Sequence, residues 1–227
     1  MKLHAIESGI APETLADLNA LRLRPGRPLV ALDCDEVLVE FSAHLVRWMA
    51  PLGYEMRLAA YRLEGSIFRA GDPHPLPFDD CLELIDRFFA EQAHAQAALP
   101  GAVAAARALG AEAQVIVLTN VPRHARAGRM VNLARLGIDC PMVVNSGGKG
   151  RALAWLQAQV GATMAFVDDS VHQVASAAKH APGVGRVYFT GSPFIRDVMP
   201  ASAEAHYTTP DWDAALAAIR AVLGQGA

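Results

Sequence analysis

The sequence predicts an α/β fold in which helices flank an open parallel sheet. Short apolar runs recur along the chain, at residues 29–32, 115–118, 142–144, 164–167 and 186–189. These runs do not alternate apolar with polar residues, a pattern typical of strands that are buried on both faces. Segments with the apolar spacing of a helix separate the runs, and this alternation indicates right-handed crossovers between parallel strands. We therefore predict a Rossmann-like sheet flanked by helices.

Length and composition are those of a globular protein with a sizeable core. The chain has 227 residues, 52% hydrophobic and 19% charged, so we expect one large domain or one core with an insertion. A net charge of −3 gives no attraction to a nucleic-acid polymer or a membrane surface. The start, MKLHAIESG, lacks the apolar run of a signal peptide. Three cysteines without a CxxC spacing indicate reduced thiols, and we expect a cytoplasmic protein.

Residues 1–27 precede the first predicted strand and are interpreted as an N-terminal extension. The segment 41–98, which follows that strand, breaks the strand–helix alternation. Its apolar residues recur at helical spacing in two sets, Phe41, Leu45, Trp48, Met49 and Leu82, Ile85, Phe88, Phe89. A Pro-rich loop separates the two sets. We therefore predict a helical insertion at 41–98 in a core formed by residues 28–40 and 99–227.

The core also contains the segments that would connect its strands. Apolar residues recur there with the period of an amphipathic helix. Helices are expected at about 102–109, 123–136, 150–160, 171–180 and 211–223. Each of the first four lies between two of the apolar runs, as crossovers between parallel strands require.

Polar side chains follow four of the predicted strands. They are Asp33, Asp35, Thr119, Asn120, Lys149, Asp168 and Asp169. Ligands of an open parallel sheet bind outside the carboxyl ends of the strands, so we expect these side chains to converge. The sequence therefore predicts a single polar site at that edge of the sheet.

Four members of this set are aspartates, which cannot share a site as bare anions because their repulsion would raise their pKa values. A hard divalent cation removes this repulsion, and a set of oxygen ligands suits Mg²⁺. The sequence therefore predicts a magnesium site on Asp33, Asp35, Asp168 and Asp169.

The same set has the groups that phosphoryl transfer needs. A carboxylate about 4 Å from a phosphate dianion is repelled by about 8 kcal/mol at an effective dielectric near 20. Mg²⁺ and the Lys149 ammonium would cancel this repulsion and leave Asp33 free to attack phosphorus. Asp35 would protonate the leaving oxygen and then activate water. Thr119, with Asn120 beside it, would hold the phosphoryl oxygens.

This order of motifs resembles that of the haloacid dehalogenase-like superfamily. The motifs on which the resemblance rests are LDCDEV, LTN, an isolated lysine in GGKG, and VDD, within about residues 28–190. The resemblance implies that Asp33 is the nucleophile and Asp35 the acid/base. It also implies that Mg²⁺ binds the Asp33 side chain, the Asp35 carbonyl and Asp168, with help from Asp169. Thr119 would bind phosphate, Lys149 would balance charge, and the insertion would be a small helical cap. In a departure from the pattern, Glu36 replaces the common glycine.

The resemblance leaves several activities to separate. Dehalogenases lack the second aspartate, so Asp35 argues against them, and the absence of lysine from 41–98 argues against phosphonate cleavage. A signalling receiver domain would place its acidic pair first and its lysine last, the reverse of the order here. We therefore predict a Mg²⁺-dependent phosphatase, nucleotidase-like, that acts on a small phosphorylated metabolite. A sugar-phosphate phosphatase, a phosphomutase, a non-catalytic phosphometabolite-binding protein and a homodimer stay open.

Overall fold

The computed structural model of the chain describes residues 9–224. Its strands are β1 (Leu29–Leu32), β2 (Tyr54–Met56), β3 (Ile67–Arg69), β4 (Gln114–Thr119), β5 (Met142–Val144), β6 (Met164–Asp168), β7 (Gly185–Phe189) and β8 (Tyr207–Thr209). Six of them form one sheet in the order β5-β4-β1-β6-β7-β8, and all neighbours in it are parallel. The predicted α/β fold with an open parallel sheet is confirmed. Strand β8 was not predicted from the sequence, because it is only three residues long.

Helices cover both faces of this sheet. Within the described residues they are α1 (Pro12–Ala20), α2 (Ser42–Met49), α3 (Phe78–Gln92), α4 (Ala102–Glu112), α5 (Arg126–Leu136), α6 (Gly150–Val160), α7 (Val171–His180) and α8 (Trp212–Gly224). Successive strand residues enter opposite cores: Val30 and Leu32 pack with α4 and α8, whereas Leu29 and Ala31 pack with α1, α6 and α7. Burial on both faces explains why the strands read as unbroken apolar runs.

The described part of the N-terminal segment packs against the edge of the sheet. In α1, Leu18 is fully buried, and the Thr14 hydroxyl donates to the Val144 carbonyl over 3.0 Å. The Asp17 carboxylate accepts from the backbone N–H of Val144, also over 3.0 Å. The edge strand β5 is therefore bonded on its open side by side chains of α1. The predicted division into extension, core and insertion remains a prediction.

The insertion contains α2 and α3, as their apolar spacing predicted, and also a β-hairpin. Strands β2 and β3 pair antiparallel within it, with Tyr54 opposite Arg69. The two helices meet through aromatic rings, since Phe41 stacks on Phe89 with centroids 5.4 Å apart and an interplanar angle of 22°. The hairpin was not predicted because three-residue strands are too short to show a period. Among residues 9–224, none of the helices has both the length and the apolar composition of a membrane span.

Candidate active site

The polar strand-end residues line one cavity of about 330 Å³. The cavity opens beyond the carboxyl ends of β1, β4 and β6, next to the point where the strand order reverses between β1 and β6. Such a reversal leaves a crevice at which open α/β sheets bind ligands. All seven residues predicted from the sequence are on its wall: Asp33, Asp35, Thr119, Asn120, Lys149, Asp168 and Asp169. The predicted convergence is therefore confirmed, while the role of each residue remains a prediction.

A tight turn after β1 presents the first two aspartates. The Asp33 N–H donates to the Val167 carbonyl over 2.9 Å and so extends the pairing of β1 with β6. The Cys34 carbonyl then accepts from the backbone N–H groups of Leu38 and Val39, at 2.8 and 3.0 Å. Cys34 is fully buried. Because alternate residues of this turn face the core, Asp33 and Asp35 on either side of Cys34 face the cavity.

Lys149 lies between two of the aspartates. Its Nζ is 2.7 Å from Asp33 Oδ1 and 2.7 Å from Asp168 Oδ2, and the lysine side chain is 1% exposed. Burial alone would lower the pKa of Lys149, but Asp168 and Asp33 hold it above its usual range, so the lysine is a cation. The next residue, Gly150, allows the chain to pass close to α7. A Cβ at Gly150 would be only 2.0 Å from the Ser176 carbonyl oxygen of α7.

Three carboxylates at this point form a set that fits a metal ion. Each of Asp33, Asp168 and Asp169 offers an oxygen, and the three oxygens lie within 4.8 Å of one another. Burial raises the pKa of Asp168 to about 7, and burial together with Asp168 raises the pKa of Asp169 well above its usual range. A bound divalent cation would stabilise the ionised form of these buried carboxylates, and a set of oxygen ligands suits Mg²⁺. The predicted contact through Asp35 was with its backbone carbonyl, and this contact remains a prediction.

The Asp35 carboxylate is held by a buried arginine. Arg129 of α5 is fully buried and donates from Nη2 to Asp35 Oδ1 over 2.6 Å. Gln96 Nε2 lies 3.4 Å from the same oxygen. Burial raises the pKa of Asp35, and Arg129 opposes that rise. Sequence reasoning missed Arg129; the available signal was its place one helical turn before the buried Leu133.

The β4 end carries the two remaining predicted residues. Thr119 is buried, and its Oγ1 accepts from the backbone N–H of Val121 over 3.3 Å. The Asn120 amide donates to the Gly147 carbonyl over 2.8 Å and accepts from the Asn145 amide over 3.0 Å. Both ends of the Asn120 side chain therefore hold the loop that leads to Lys149, although Asn120 was predicted to bind substrate.

The insertion supplies the opposite wall of the cavity. Tyr61, between β2 and β3, donates a hydrogen bond from its hydroxyl to Asp169 Oδ2. Neither His74 nor Arg69, in and beside the Pro-rich loop of the insertion, lines the cavity. The His74 side chain is 86% exposed beside Asp72, and Arg69 pairs at the surface. Sequence reasoning missed Tyr61 because nothing in the local pattern marks a loop residue that contacts a distant strand end.

Comparison with known proteins supplies the family context for this geometry. No protein-family model matches the sequence, and no curated protein matches it at a significant level. A haloacid dehalogenase-like family protein from Streptococcus pneumoniae is 13% identical, with a TM-score of 0.59 over 83% of this chain and 96% of its own. A HAD family hydrolase from Deinococcus radiodurans, solved with bound phosphate and sodium, is 18% identical, with a TM-score of 0.56 over 84% and 96%. The L-2-haloacid dehalogenase from Xanthobacter autotrophicus is 11% identical, with a TM-score of 0.55 over 85% and 98%.

This chain has the haloacid dehalogenase-like fold. The resemblance seen in the sequence motifs is thus confirmed at the level of the fold. The similar structures include an L-2-haloacid dehalogenase and a hydrolase with bound phosphate, so the fold alone leaves the reaction to the residues of the site.

The departure at Glu36 is accommodated within the haloacid dehalogenase-like fold. Its φ of 59° lies in the left-handed region, and no other non-glycine residue among 9–224 has a positive φ. The Glu36 carboxylate accepts from the backbone N–H of Ser42 over 2.5 Å and from the Ser192 hydroxyl. A left-handed non-glycine residue costs on the order of 1 kcal/mol, which two hydrogen bonds can offset. Through these two hydrogen bonds, Glu36 links the start of α2 to the loop after β7.

Proposed function

We propose that this protein is a Mg²⁺-dependent phosphatase that hydrolyses a small phosphate monoester through an aspartyl-phosphate on Asp33. One observation carries the proposal: Lys149 is 2.7 Å from both Asp33 and Asp168, and Asp169 completes a carboxylate cluster on the same cavity. A dianionic phosphate could not enter a cluster of bare carboxylates. A buried ammonium and a metal-binding set of oxygens together make that entry favourable.

Asp33 is the nucleophile in this proposal. Its Oδ1 contacts Lys149, and the side chain is 13% exposed toward the cavity. Asp33, Asp168 and Asp169 would hold Mg²⁺, which would offset the charge of the phosphoryl oxygens. A carboxylate oxygen of Asp33 attacks phosphorus, the bond from phosphorus to the ester oxygen breaks, and an aspartyl-phosphate forms. Thr119 and the backbone N–H groups after β4 would bind the phosphoryl oxygens.

Asp35 is the acid and base of the two steps. It gives a proton to the leaving alcohol and then takes one from the water that attacks the aspartyl-phosphate, which returns Asp33 to its carboxylate. Halide departs without a proton, so a dehalogenase has no use for this group. A carboxyl that lines the cavity, with a pKa raised by burial, favours phosphate ester hydrolysis over dehalogenation.

The setting of the enzyme is part of the proposal. The substrate class is a small phosphorylated metabolite, with sugar-phosphate hydrolysis and phosphoryl transfer between substrates as alternatives within the same chemistry. We also propose a cytoplasmic location, which the free thiols of Cys34, Cys81 and Cys140 support.

The test measures two products from one purified preparation. Phosphate release from p-nitrophenyl phosphate is measured with Mg²⁺, after exhaustive chelation, and after Mg²⁺ is restored. Chloride release from 2-chloropropionate is measured in parallel. We expect phosphate release that disappears with the metal and returns with it, and no chloride release. Full phosphate release after chelation, or chloride release without phosphate release, would contradict the proposal.

A further inference from the structure

The wall of the cavity opposite the aspartates is largely apolar. Besides Tyr61 and Arg62, six apolar side chains form it: Phe41, Leu58, Leu63, Ile85, Phe89 and Ile195. All of them except Ile195 belong to the insertion at 41–98, so the insertion determines what lies beside the phosphoryl group. We propose that the leaving group of the substrate is a compact apolar body of about one aromatic ring. The proposal rests on the phosphatase function above and specifies its substrate class.

Arg62 also lines the cavity and is exposed to solvent. Most of the other polar groups near this wall are already bonded to the site itself. Tyr61 donates to Asp169. Gln173 accepts from the backbone N–H of Lys149 over 2.8 Å and donates to the Gly147 carbonyl over 3.2 Å. The Glu36 carboxylate accepts from Ser42 and Ser192. A sugar or polyol would lose hydrogen bonds to water and find few groups to replace them, and burying a polar group without a hydrogen-bond partner is unfavourable.

The aromatic part of the wall is rigid. Phe41 and Phe89 are each 8% exposed, and their rings stack at 5.4 Å. Phe88 packs edge-on against both, at 5.5 and 5.7 Å. Rings held in this way lose little side-chain freedom when a ligand arrives, which favours binding of a flat apolar group.

The size of the cavity sets an upper limit to the leaving group. About 330 Å³ must hold the phosphoryl group as well as the leaving group. This volume is at the low end of the roughly 300–1,000 Å³ found for small-molecule sites. A single ring fits that space better than a nucleoside, so the substrate inferred here differs from the nucleotide that the sequence suggested.

The test compares esters whose leaving groups have similar chemical reactivity. Benzyl phosphate, glycerol 3-phosphate and glucose 6-phosphate are all phosphate esters of primary alcohols. Differences in kcat/KM among them therefore reflect how the rest of the leaving group binds. We expect kcat/KM for benzyl phosphate to exceed that for the other two by about 10–100-fold, the order expected for burying one ring. Equal or lower values for benzyl phosphate, with phosphate released from the other esters, would overturn the substrate class and leave the phosphatase function standing.

A binding measurement separates the two proposals from each other. Calorimetry with Mg²⁺ compares benzylphosphonate with 2,3-dihydroxypropylphosphonate, neither of which can be hydrolysed as an ester. Preferential binding of benzylphosphonate without any phosphate release from esters would support the apolar site and contradict the phosphatase function. The absence of both binding preference and turnover would overturn both proposals.

Variants locate the effect on the apolar wall. Leu58→Asn should lower kcat/KM for benzyl phosphate about tenfold and change that for glycerol 3-phosphate less than twofold. Leu82→Asn is the matched control, because Leu82 is 51% exposed on α3 and does not line the cavity. If Leu58→Asn does not fold, Ile85→Val serves in its place with a smaller expected loss of about threefold. An equal effect on both esters would contradict a role of the wall in selecting the leaving group.

Discussion

Replacing Lys149 by methionine removes a buried charge from between two carboxylates while nearly keeping the volume of the side chain. Asp33 Oδ1 and Asp168 Oδ2 are each 2.7 Å from Nζ, and Asp168 is fully buried. The variant therefore leaves two carboxylates facing each other without the cation that separates them. In the metal-free protein at pH 8, the two carboxylates would either stay ionised and repel each other, or share a proton although so high a pH favours its loss.

The expected loss of stability is that of a broken buried ion pair. Removing one partner of such a pair costs about 3–5 kcal/mol. Two pairs share this lysine, but proton uptake by the carboxylates limits the loss, so we keep the same range. For a chain of this size the loss corresponds to a fall in Tm of roughly 6–20 °C.

The loss should depend on pH in a defined direction. Burial raises the pKa of Asp168 from 3.8 to about 7 in the folded protein, so the folded state binds more protons than the unfolded state between these values. The contribution of this group to stability is therefore fully present below about pH 4 and is lost as the pH rises through 7. Lys149 opposes this rise in the pKa of Asp168, so without the lysine Asp168 binds its proton still more tightly. The difference between variant and wild type should therefore be larger at pH 8 than near pH 5, where Asp168 is protonated in both proteins.

Urea unfolding followed by circular dichroism, in EDTA at both pH values, measures this loss. Lys179→Met is the matched control, because Lys179 is exposed and its loss should change the free energy of unfolding by no more than about 0.5 kcal/mol. Mg²⁺ should restore part of the stability of the Lys149 variant. A loss below about 1 kcal/mol at pH 8, or an equal loss at both pH values, would refute the electrostatic reasoning.

Three further outcomes are expected. Asp33→Asn should lower kcat in a phosphate-release assay by about 10³ or more and leave the circular dichroism spectrum unchanged. The control, Asp213→Asn at an exposed position, should keep wild-type activity, and more than a tenth of that activity in Asp33→Asn would rule out Asp33 as the nucleophile. Mg²⁺ should raise the wild-type Tm more at pH 8 than at pH 5, because the raised pKa of Asp168 lets protons compete with the metal; an equal shift in scanning calorimetry would count against this site. Tyr61→Phe should tighten Mg²⁺ binding about 3–10-fold in titration calorimetry, because the tyrosine hydroxyl is hydrogen-bonded to an Asp169 oxygen that the metal would need. Unchanged or weaker binding would show that this hydrogen bond does not compete with the metal.

The fold could be predicted because its signals are local. Five of the six strands of the parallel sheet coincide with apolar runs, and the crossover helices coincide with segments of helical period. Strand β8 was missed because Tyr207–Thr209 is short and only one of its residues is buried. The β2–β3 hairpin was missed for the same reason, since its strands have three residues each.

The site could be predicted only where strand ends carry it. Asp33 follows β1, Thr119 and Asp168 end β4 and β6, and Lys149 lies in the loop after β5. A parallel sheet brings such positions to one edge whatever the rest of the chain does. Arg129 contacts Asp35 across 94 residues of sequence, and Tyr61 contacts Asp169 across 108. Neither contact follows from a periodic pattern, because each depends on how a helix or a loop packs over the sheet.

The sequence by itself determined the architecture of this protein and the chemical groups at the edge of its sheet. Alternation of apolar runs and helical periods requires a parallel sheet, and the sheet then assembles the carboxylates and the lysine. Only the tertiary structure decided the partner of Asp35, the hydroxyl that covers Asp169 and the apolar wall beside them. The physical reason is that hydrogen-bonded strand pairing constrains positions through the backbone, whereas contacts across the cavity arise from the packing of side chains far apart in the chain.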